Sequence, residues 1–206
     1  RVFNHNKGRT REEILGLFET LGYRTDCRVL NAADYGVPQI RSRIFFIGNR
    51  LGLDNKFPKK TVEKHKTVAE VIAKLPRLES GGSSRIPNHV AMNHSQQMLE
   101  KMSHVSNGGS RADIPSDIRP KSGDVRKYIR YDSDEPSVCI TGDMRKVFHY
   151  DQNRALTVRE LARIQSFPDY FVFEGPTISQ QMQVGNAVPP LLAQALAKTV
   201  KKQLQK

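Results

Sequence analysis

The chain has 206 residues, of which 37% are hydrophobic and 26% charged, so its length and composition allow one sizeable core or two small ones. Its formal net charge is +12 and its pI about 9.9, a surplus that suits a polyanionic partner. No apolar run approaches the roughly 18 residues of a membrane-spanning helix, no secretory signal is visible at the start, and Cys27 and Cys139 form no metal-spaced set, which excludes a zinc module. Two thiols without partners fit a reducing compartment. The positive charge is spread rather than gathered in a tail: residues 1–56, 57–153 and 154–206 each net +4.

In chain order, Thr10 and Glu13 have the spacing of a capping box. Ile14, Leu17, Phe18 and Leu21 then give one apolar helical face, and Gly22 closes the helix. Tyr23, Thr25, Cys27 and Val29 alternate as a strand does. Asn31 to Gly36 reads as a polar turn. Pro38 pushes Val37 into an extended conformation, and Gln39, Arg41 and Arg43 follow at alternate positions, so an extended chain projects all three to one side. Ile44 to Ile47 is wholly apolar and predicts a strand buried on both faces. A carboxamide and two guanidiniums in a row can grip something flat and anionic; they can equally be solvated charges on a surface strand.

Leu51 to Lys66 is polar and basic and marks a boundary. Thr67 and Glu70 form a second capping box, for a helix that buries Val68, Val71, Ile72 and Leu75 and stops at Pro76. Leu78 to Arg85 has the composition of a flexible loop. Ser95 caps a short helix whose Met98, Leu99 and Met102 are core filler. Residues 103–126 are rich in Gly, Ser, Asp, Pro and Arg and lack periodicity, and loops of that length are usually functional or disordered. Lys127 to Tyr131 and Ser137 to Thr141 are predicted as short strands, with Cys27 and Cys139 as inert small hydrophobes within strands.

Thr157 and Glu160 form a third capping box, opening a helix through Leu161, Ala162, Ile164 and Gln165 that ends at Phe167-Pro168. Arg159 and Arg163 lie four apart on one face, either solvated or bracing a loop. Thr177 is the expected cap of a helix ending at Gly185, where Gly185-Asn186-Ala187 would form a cap and turn, since Gly and Asn tolerate positive φ. Pro189 and Pro190 suit a helix start. Leu192, Leu196 and Val200 give the last helix its buried stripe, and lysines at its C-terminal end favour the dipole.

Three of these stretches, in this order, carry a resemblance. NAADYGVPQIRSRIFFIGNR (31–50), with its Gln-x-Arg-x-Arg, resembles the eighth motif of the DNA (cytosine-5) methyltransferases. RALTVRELARIQSFPDYF (154–171) resembles their ninth motif and QVGNAVPPLLAQAL (183–196) their tenth. The stretch Pro136 to Thr141 is similar to a Pro-Ser-x-x-Ile-Thr segment of their recognition domains. The resemblance implies a C-terminal part of a Rossmann-like α/β domain that binds S-adenosylmethionine, formed by residues 1–56 and 154–206. Residues 57–153 would be a smaller, irregular, strand-containing target-recognition lobe, with the DNA cleft between the two.

By resemblance, Arg43 matches the arginine that hydrogen-bonds a cytosine flipped out of the duplex, Arg41 the neighbour that supports nearby backbone, and Gln39 the glutamine beside them. Asn186, Ala187 and Val188 match the segment lining the cofactor site. Arg41, Arg43, Arg111, Arg119, Lys121, Arg126, Arg145 and Lys146 are the expected DNA contacts, most of them in two loops, Ser106–Lys127 and Thr141–Lys146. The family's chemistry also needs a cysteine thiolate that adds to C6 and a glutamic acid at N3. The 206 residues contain no Pro-Cys pair, no Glu-Asn-Val and no Phe-x-Gly-x-Gly loop. The expectation is therefore a C-terminal half: a separate subunit, a cloned fragment or the remnant of a truncated gene. It would be inactive alone, would require an N-terminal half as partner, would act on double-stranded DNA in a bacterial cytoplasm at the nucleoid, and would tend to self-associate through an uncovered sheet edge. A DNA-binding module without catalysis, or part of an RNA cytosine methyltransferase, are the alternatives.

Overall fold

The computed structural model describes residues 9–121 and 127–205. The first helix, α1, spans Arg9–Thr20, starting one residue ahead of the expected cap Thr10, and Arg9 pairs with Glu13 at 3.0 Å. Its apolar face does not reach a core. No residue of α1 is buried, and Leu17 and Leu21 are each 65% exposed. Phe18 makes an edge contact with Tyr23, and Gly22 takes a φ of 76° where the chain reverses.

β1 (Arg24–Asn31) and β2 (Ser42–Asn49) form an antiparallel pair with Cys27 opposite Phe46 and Leu30 opposite Arg43. The apolar run Ile44 to Ile47 is only half-buried, not buried on both faces. Among the described residues β2 has β1 as its one sheet neighbour. The connection between the strands is a 3-10 turn, Ala32–Tyr35, and it is interior rather than a polar surface turn: Ala32, Ala33 and Tyr35 are all buried. The Asn31 Oδ1 shapes it by accepting from Ala33 N–H and, at 3.0 Å, from Arg41 N–H. Gly36 ends it at φ 82°.

α2 (Val68–Ile72) and α3 (Gln96–His104) begin as their sequences dictate. Thr67 and Glu70 make the reciprocal capping box, and the Ser95 hydroxyl accepts from Met98 N–H. Met102 is fully buried, with Met98 and Leu99 against the same cluster of Val105, Ile114, Tyr128 and Phe148. Two parallel strands of two residues each, β3 (Ile129–Arg130) and β4 (Val147–Phe148), follow. Ser137 to Thr141 is not a strand. It makes one parallel bridge, Gln39 to Ser137, and otherwise runs irregularly. α4 (Val158–Ile164) carries the third capping box, α5 spans Thr177–Asn186, and α6 spans Pro190–Leu204 with Pro190 at its first position. Pro176, not Thr177, is the residue before α5, and no side chain caps that end.

The cores divide the chain at a different place from residue 154. Leu156, Leu161, Ile164, Phe173 and Val184 pack with Val68, Ile72, Leu75, Tyr131, Ile140 and Met144 in one cluster. α4 and α5 therefore share their apolar interior with the middle of the chain, and meet residues 1–56 through the buried polar side chains of Gln39 and Arg41. The segment that does return is α6: Leu192 is fully buried against Leu30, Ala32, Tyr35 and Val37, with Leu196 and Phe45 alongside. The Gln203 side chain ties the far end of α6 to Asp54 O and Lys56 N.

The largest core also holds charge. Arg154 and Glu160 form a fully buried two-point ion pair, with distances of 2.6 and 2.8 Å. The second Glu160 oxygen also closes the capping box by accepting from Thr157 N–H. Arg159 is buried too, and its guanidinium donates to the carbonyls of Pro87, Pro168 and Phe171. Arg163 pairs with Asp169 at 2.6 Å. Of the two readings of this arginine pair, bracing of the following loop is the one observed.

Candidate functional site

Gln39, Arg41 and Arg43 do project to one side, toward residues 137–140; Gln39 and Arg41 are interior, whereas Arg43 is only half-buried. Gln39 is fully buried and Arg41 is 2% exposed. The main-chain bonds Ser137 N–H to Pro38 O and Ile40 N–H to Ser137 O lock this segment alongside residues 137–140. Arg41 then spans two further segments. Its Nη1 donates to Ile140 O and Cys139 Sγ, both at 3.1 Å, and its Nη2 to Gly185 O at 2.6 Å and Ala187 O at 3.1 Å. Among the described residues no carboxylate pairs with it. Burial pulls its pKa down from the ordinary arginine value, while the neighbouring Cys139 sulfur works against that pull. The expected DNA contact at Arg41 is therefore corrected: its fork is spent on protein carbonyls, and no part of it is offered at the surface.

Arg43 is different. It is half-buried, and two contacts hold it: Nη1 donates to Ser42 O at 2.8 Å and Nη2 to Cys139 Sγ at 3.5 Å. Cys139 is accordingly not an inert hydrophobe in a strand. It is a half-buried free thiol that accepts from both guanidiniums, its sulfur lying 3.6 Å from Ile140 O. Sequence reasoning missed this role because a lone cysteine among apolar neighbours carries no signal for it.

The end of α5 is built by the same group. The expected positive-φ turn does not form. α5 runs through Asn186, and its cap, Ala187, is extended at φ −66° and ψ 153°. The last carbonyls of a helix need partners, and here they come from distant side chains: Arg41 for Gly185 and Ala187, and Gln165 for Val184 at 2.8 Å and Ala187 at 3.3 Å. Gly185 is required for a different reason from the expected one. A Cβ there would lie 2.8 Å from the Thr141 main-chain carbon and oxygen, so α5 and the 141–142 backbone touch directly. Held this way, Asn186 and Val188 turn their side chains to solvent, Val188 at 44% exposure.

Gln165 is the second residue missed. It is fully buried, and its Oε1 accepts from Gln39 Nε2 at 2.7 Å. It follows the last periodic position of α4, and nothing in that pattern separates it from a solvated helix end.

The remaining expected DNA contacts fall into two groups. Arg111, Arg119 and Lys121 line an open concavity of about 480 Å³ with Ser110, Ser116 and Pro120. Arg119 is anchored there by Ile114 O and Ala112 O, both at 2.7 Å. Arg145 is exposed and paired with Asp143 at 2.9 Å, and Lys146 sits over the Tyr128 ring at 5.0 Å. The Arg145 hydrogen bond, with help from Lys127, holds the Asp143 carboxyl well below the usual carboxylate range. Arg126 lies outside the described residues, as does part of the Ser106–Lys127 loop. No group of three or more potential metal ligands occurs among the described residues.

The structure is thus an α/β fragment that braces a Gln-x-Arg-x-Arg segment against a Gly-Asn-Ala-Val segment. The chain belongs to the C-5 cytosine-specific DNA methylase family, whose model matches residues 1–202. Among curated relatives it is 65% identical over 202 residues to the Type II methyltransferase M1.HphI of Haemophilus parahaemolyticus, covering 98% of this chain and 54% of that protein. It is 34% identical to M.DdeI of Desulfomicrobium norvegicum, covering 89% and 55%. The chain thus spans about half the length of the curated relatives it matches. Its fold is similar to that of a putative DNA modification methyltransferase encoded within an E. coli prophage, with a TM-score of 0.74 at 24% identity over 96% of this chain and 65% of the other. It is also similar to the S. pombe Dnmt2 methyltransferase, with a TM-score of 0.60 at 15% identity over 99% and 64%.

Proposed function

We propose that this chain is the target-recognition and partial catalytic portion of a DNA (cytosine-5) methyltransferase of a restriction-modification system, and that it turns over with an N-terminal half supplying the nucleophilic cysteine and the glutamic acid. The observation that carries the proposal is the division of labour between the two arginines. Arg41 is consumed in bracing residues 139–140 and 185–187. Arg43, steered by Cys139 and only half-buried, is the one positioned to present donors outward. A guanidinium can donate to the O2 of an extruded cytosine and hold its ring in one orientation for attack. Gln39 acts through Arg41 and Gln165 rather than on the base.

Asn186, Ala187 and Val188 are the residues of this chain that would hold S-adenosylmethionine. An exposed carboxamide and an apolar side chain, on backbone whose carbonyls are already tied down, fit an edge of such a site. S-adenosylmethionine, when bound, supplies the methyl group. Arg111, Arg119, Lys121, Arg126, Arg145 and Lys146 would meet duplex DNA, with phosphate contacts setting register and groove contacts choosing sequence. A bacterial cytoplasm, where the DNA lies, is the compartment this reading implies. No helix among the described residues is long and apolar enough to cross a membrane.

The test is methyl transfer from labelled S-adenosylmethionine to mixed-sequence duplex DNA, by the chain alone and by the chain with an N-terminal half carrying the Pro-Cys and Glu-Asn-Val motifs. Activity confined to the mixture is expected. Turnover by the purified chain alone, or a mixture that binds DNA without methylating it, would overturn the proposal.

A further inference from the structure

The carboxamide of Gln165 has one possible orientation. Its two N–H groups face carbonyls, Val184 O and Ala187 O, so the nitrogen must lie on that side and the oxygen on the other. The oxygen accepts from Gln39 Nε2, which leaves Gln39 Oε1 to accept from Ile140 N–H at 3.2 Å and from Arg41 Nη1 at 3.5 Å. Every donor in this chain of amides points the same way, from the 39–41 segment and residue 140 through Gln165 to the end of α5. Reversing one amide would set nitrogen against nitrogen or oxygen against oxygen at the next contact.

The recipients of this arrangement are the carbonyls that bracket Asn186. No left-handed residue caps α5, and the extended Ala187 leads directly into Val188 and Pro189. The path of residues 186–188 is therefore set by two side chains from elsewhere, Gln165 and Arg41. Arg41 also serves residues 139–140, whereas Gln165 donates only to the α5 end.

We propose that Gln165 is a positioning residue for the cofactor site: it holds residues 186–188 in the conformation that receives S-adenosylmethionine. The proposal rests on the reading that Asn186–Val188 line that site. Gln165 touches no reacting atom, so its loss weakens cofactor binding more than it slows turnover at saturating cofactor. Arg41 still holds Ala187 O in a Gln165 variant, so the expected effect is partial, roughly tenfold in cofactor Kd, the factor that one modest hydrogen bond represents.

The experiment uses the chain combined with its N-terminal half, with Gln165→Met, which keeps length and removes the amide. Met102→Ala, in a separate core cluster, serves as a destabilised control. S-adenosylmethionine Kd is measured by calorimetry, and backbone hydrogen exchange is followed over residues 183–191. The expected result for Gln165→Met is a Kd raised about tenfold, with faster exchange confined to 183–188. Met102→Ala should lower Tm and leave Kd unchanged. If Gln165→Met does not fold, Gln39→Met, which removes the group that orients the Gln165 oxygen, should give the same two changes. An unchanged Kd and unchanged exchange, or a Kd rise matched by Met102→Ala, would overturn the proposal. Asn186→Ala separates the two levels: if it leaves Kd unaltered, the cofactor reading itself fails, and the exchange data alone decide whether Gln165 positions the segment.

Discussion

The guanidinium of Arg41 donates to the carbonyl of Gly185 at 2.6 Å, joining the Gln-x-Arg-x-Arg segment to the end of a helix 144 residues later. It is the shortest of the five hydrogen bonds made by the Arg41 side chain. Removing the side chain would leave the buried carbonyl of Ile140 without this donor and those at the end of α5 only partly served. Arg41→Met should cost roughly 3 kcal/mol of stability, read as a lowered denaturant midpoint at unchanged m-value. Arg41→Lys should recover little of it, because one ammonium cannot reach Ile140 O and Gly185 O together. Full recovery by lysine would show that charge, not the fork, is what matters.

Gly185 lies where α5 meets the Thr141-Gly142 backbone, with no room for a methyl group. Gly185→Ala should destabilise by about 1–3 kcal/mol, since backbone rather than a flexible side chain would have to move. Its conformation is ordinary helix, so the cost is steric rather than one of backbone strain. Thermal unfolding of the two forms checks this. An alanine variant as stable as the parent would mean that the helix can shift freely, and the brace at Arg41 would be looser than drawn.

Acid should destabilise the chain through His149. Burial, opposed by nearby Glu160, pushes the His149 pKa down to about 4 from 6.5, and burial lowers His94 as well. Between about 6.5 and 4 the unfolded chain takes up a proton that the folded His149 refuses, so stability falls as pH drops through that window. The His149 contribution is roughly 3 kcal/mol when complete. Denaturation at pH 7, 5.5 and 4.5 measures the slope, and His149→Gln should flatten it. An unchanged slope in that variant would assign the effect to other groups.

The pair of strands is only partly covered. β2 pairs only with β1 among the described residues, and Leu51 and Leu204, 63% and 62% exposed, flank an apolar groove beside it with Ile47, Leu53 and Val200. Such an edge and groove favour association. Sedimentation of the isolated chain should show mass rising with concentration, reduced by Leu51→Lys with Leu204→Lys. A monodisperse monomer at high concentration would contradict the expectation.

Much of this was legible in the sequence where local chemistry decides. Thr67 and Thr157 with their glutamates, Ser95, and Pro190 at a helix start each specify an end through contacts made within one turn. The alternation of Gln39, Arg41 and Arg43 was legible as a shared direction. That Gln39 and Arg41 end up buried was not, because it depends on residues 137–140 and 184–187 arriving from far along the chain. Gly185 shows the same limit: a glycine near a helix end signals a turn and a close approach alike, and only packing against Thr141 distinguishes them. The run Ile44 to Ile47 has the composition of a fully buried strand, yet burial needs neighbours that the described residues do not provide.

On the proposed function, Arg41 braces and Arg43 meets the base. The most direct measurement is the turnover of the chain combined with its N-terminal half, comparing Arg43→Ala with the parent at saturating DNA and cofactor. The expected result is a kcat lowered on the order of 100-fold or more, with duplex DNA affinity within a few-fold of the parent and Tm unchanged, since only Ser42 O and Cys139 Sγ lose a donor. Turnover equal to the parent, or a loss explained wholly by weaker DNA binding or unfolding, would contradict it.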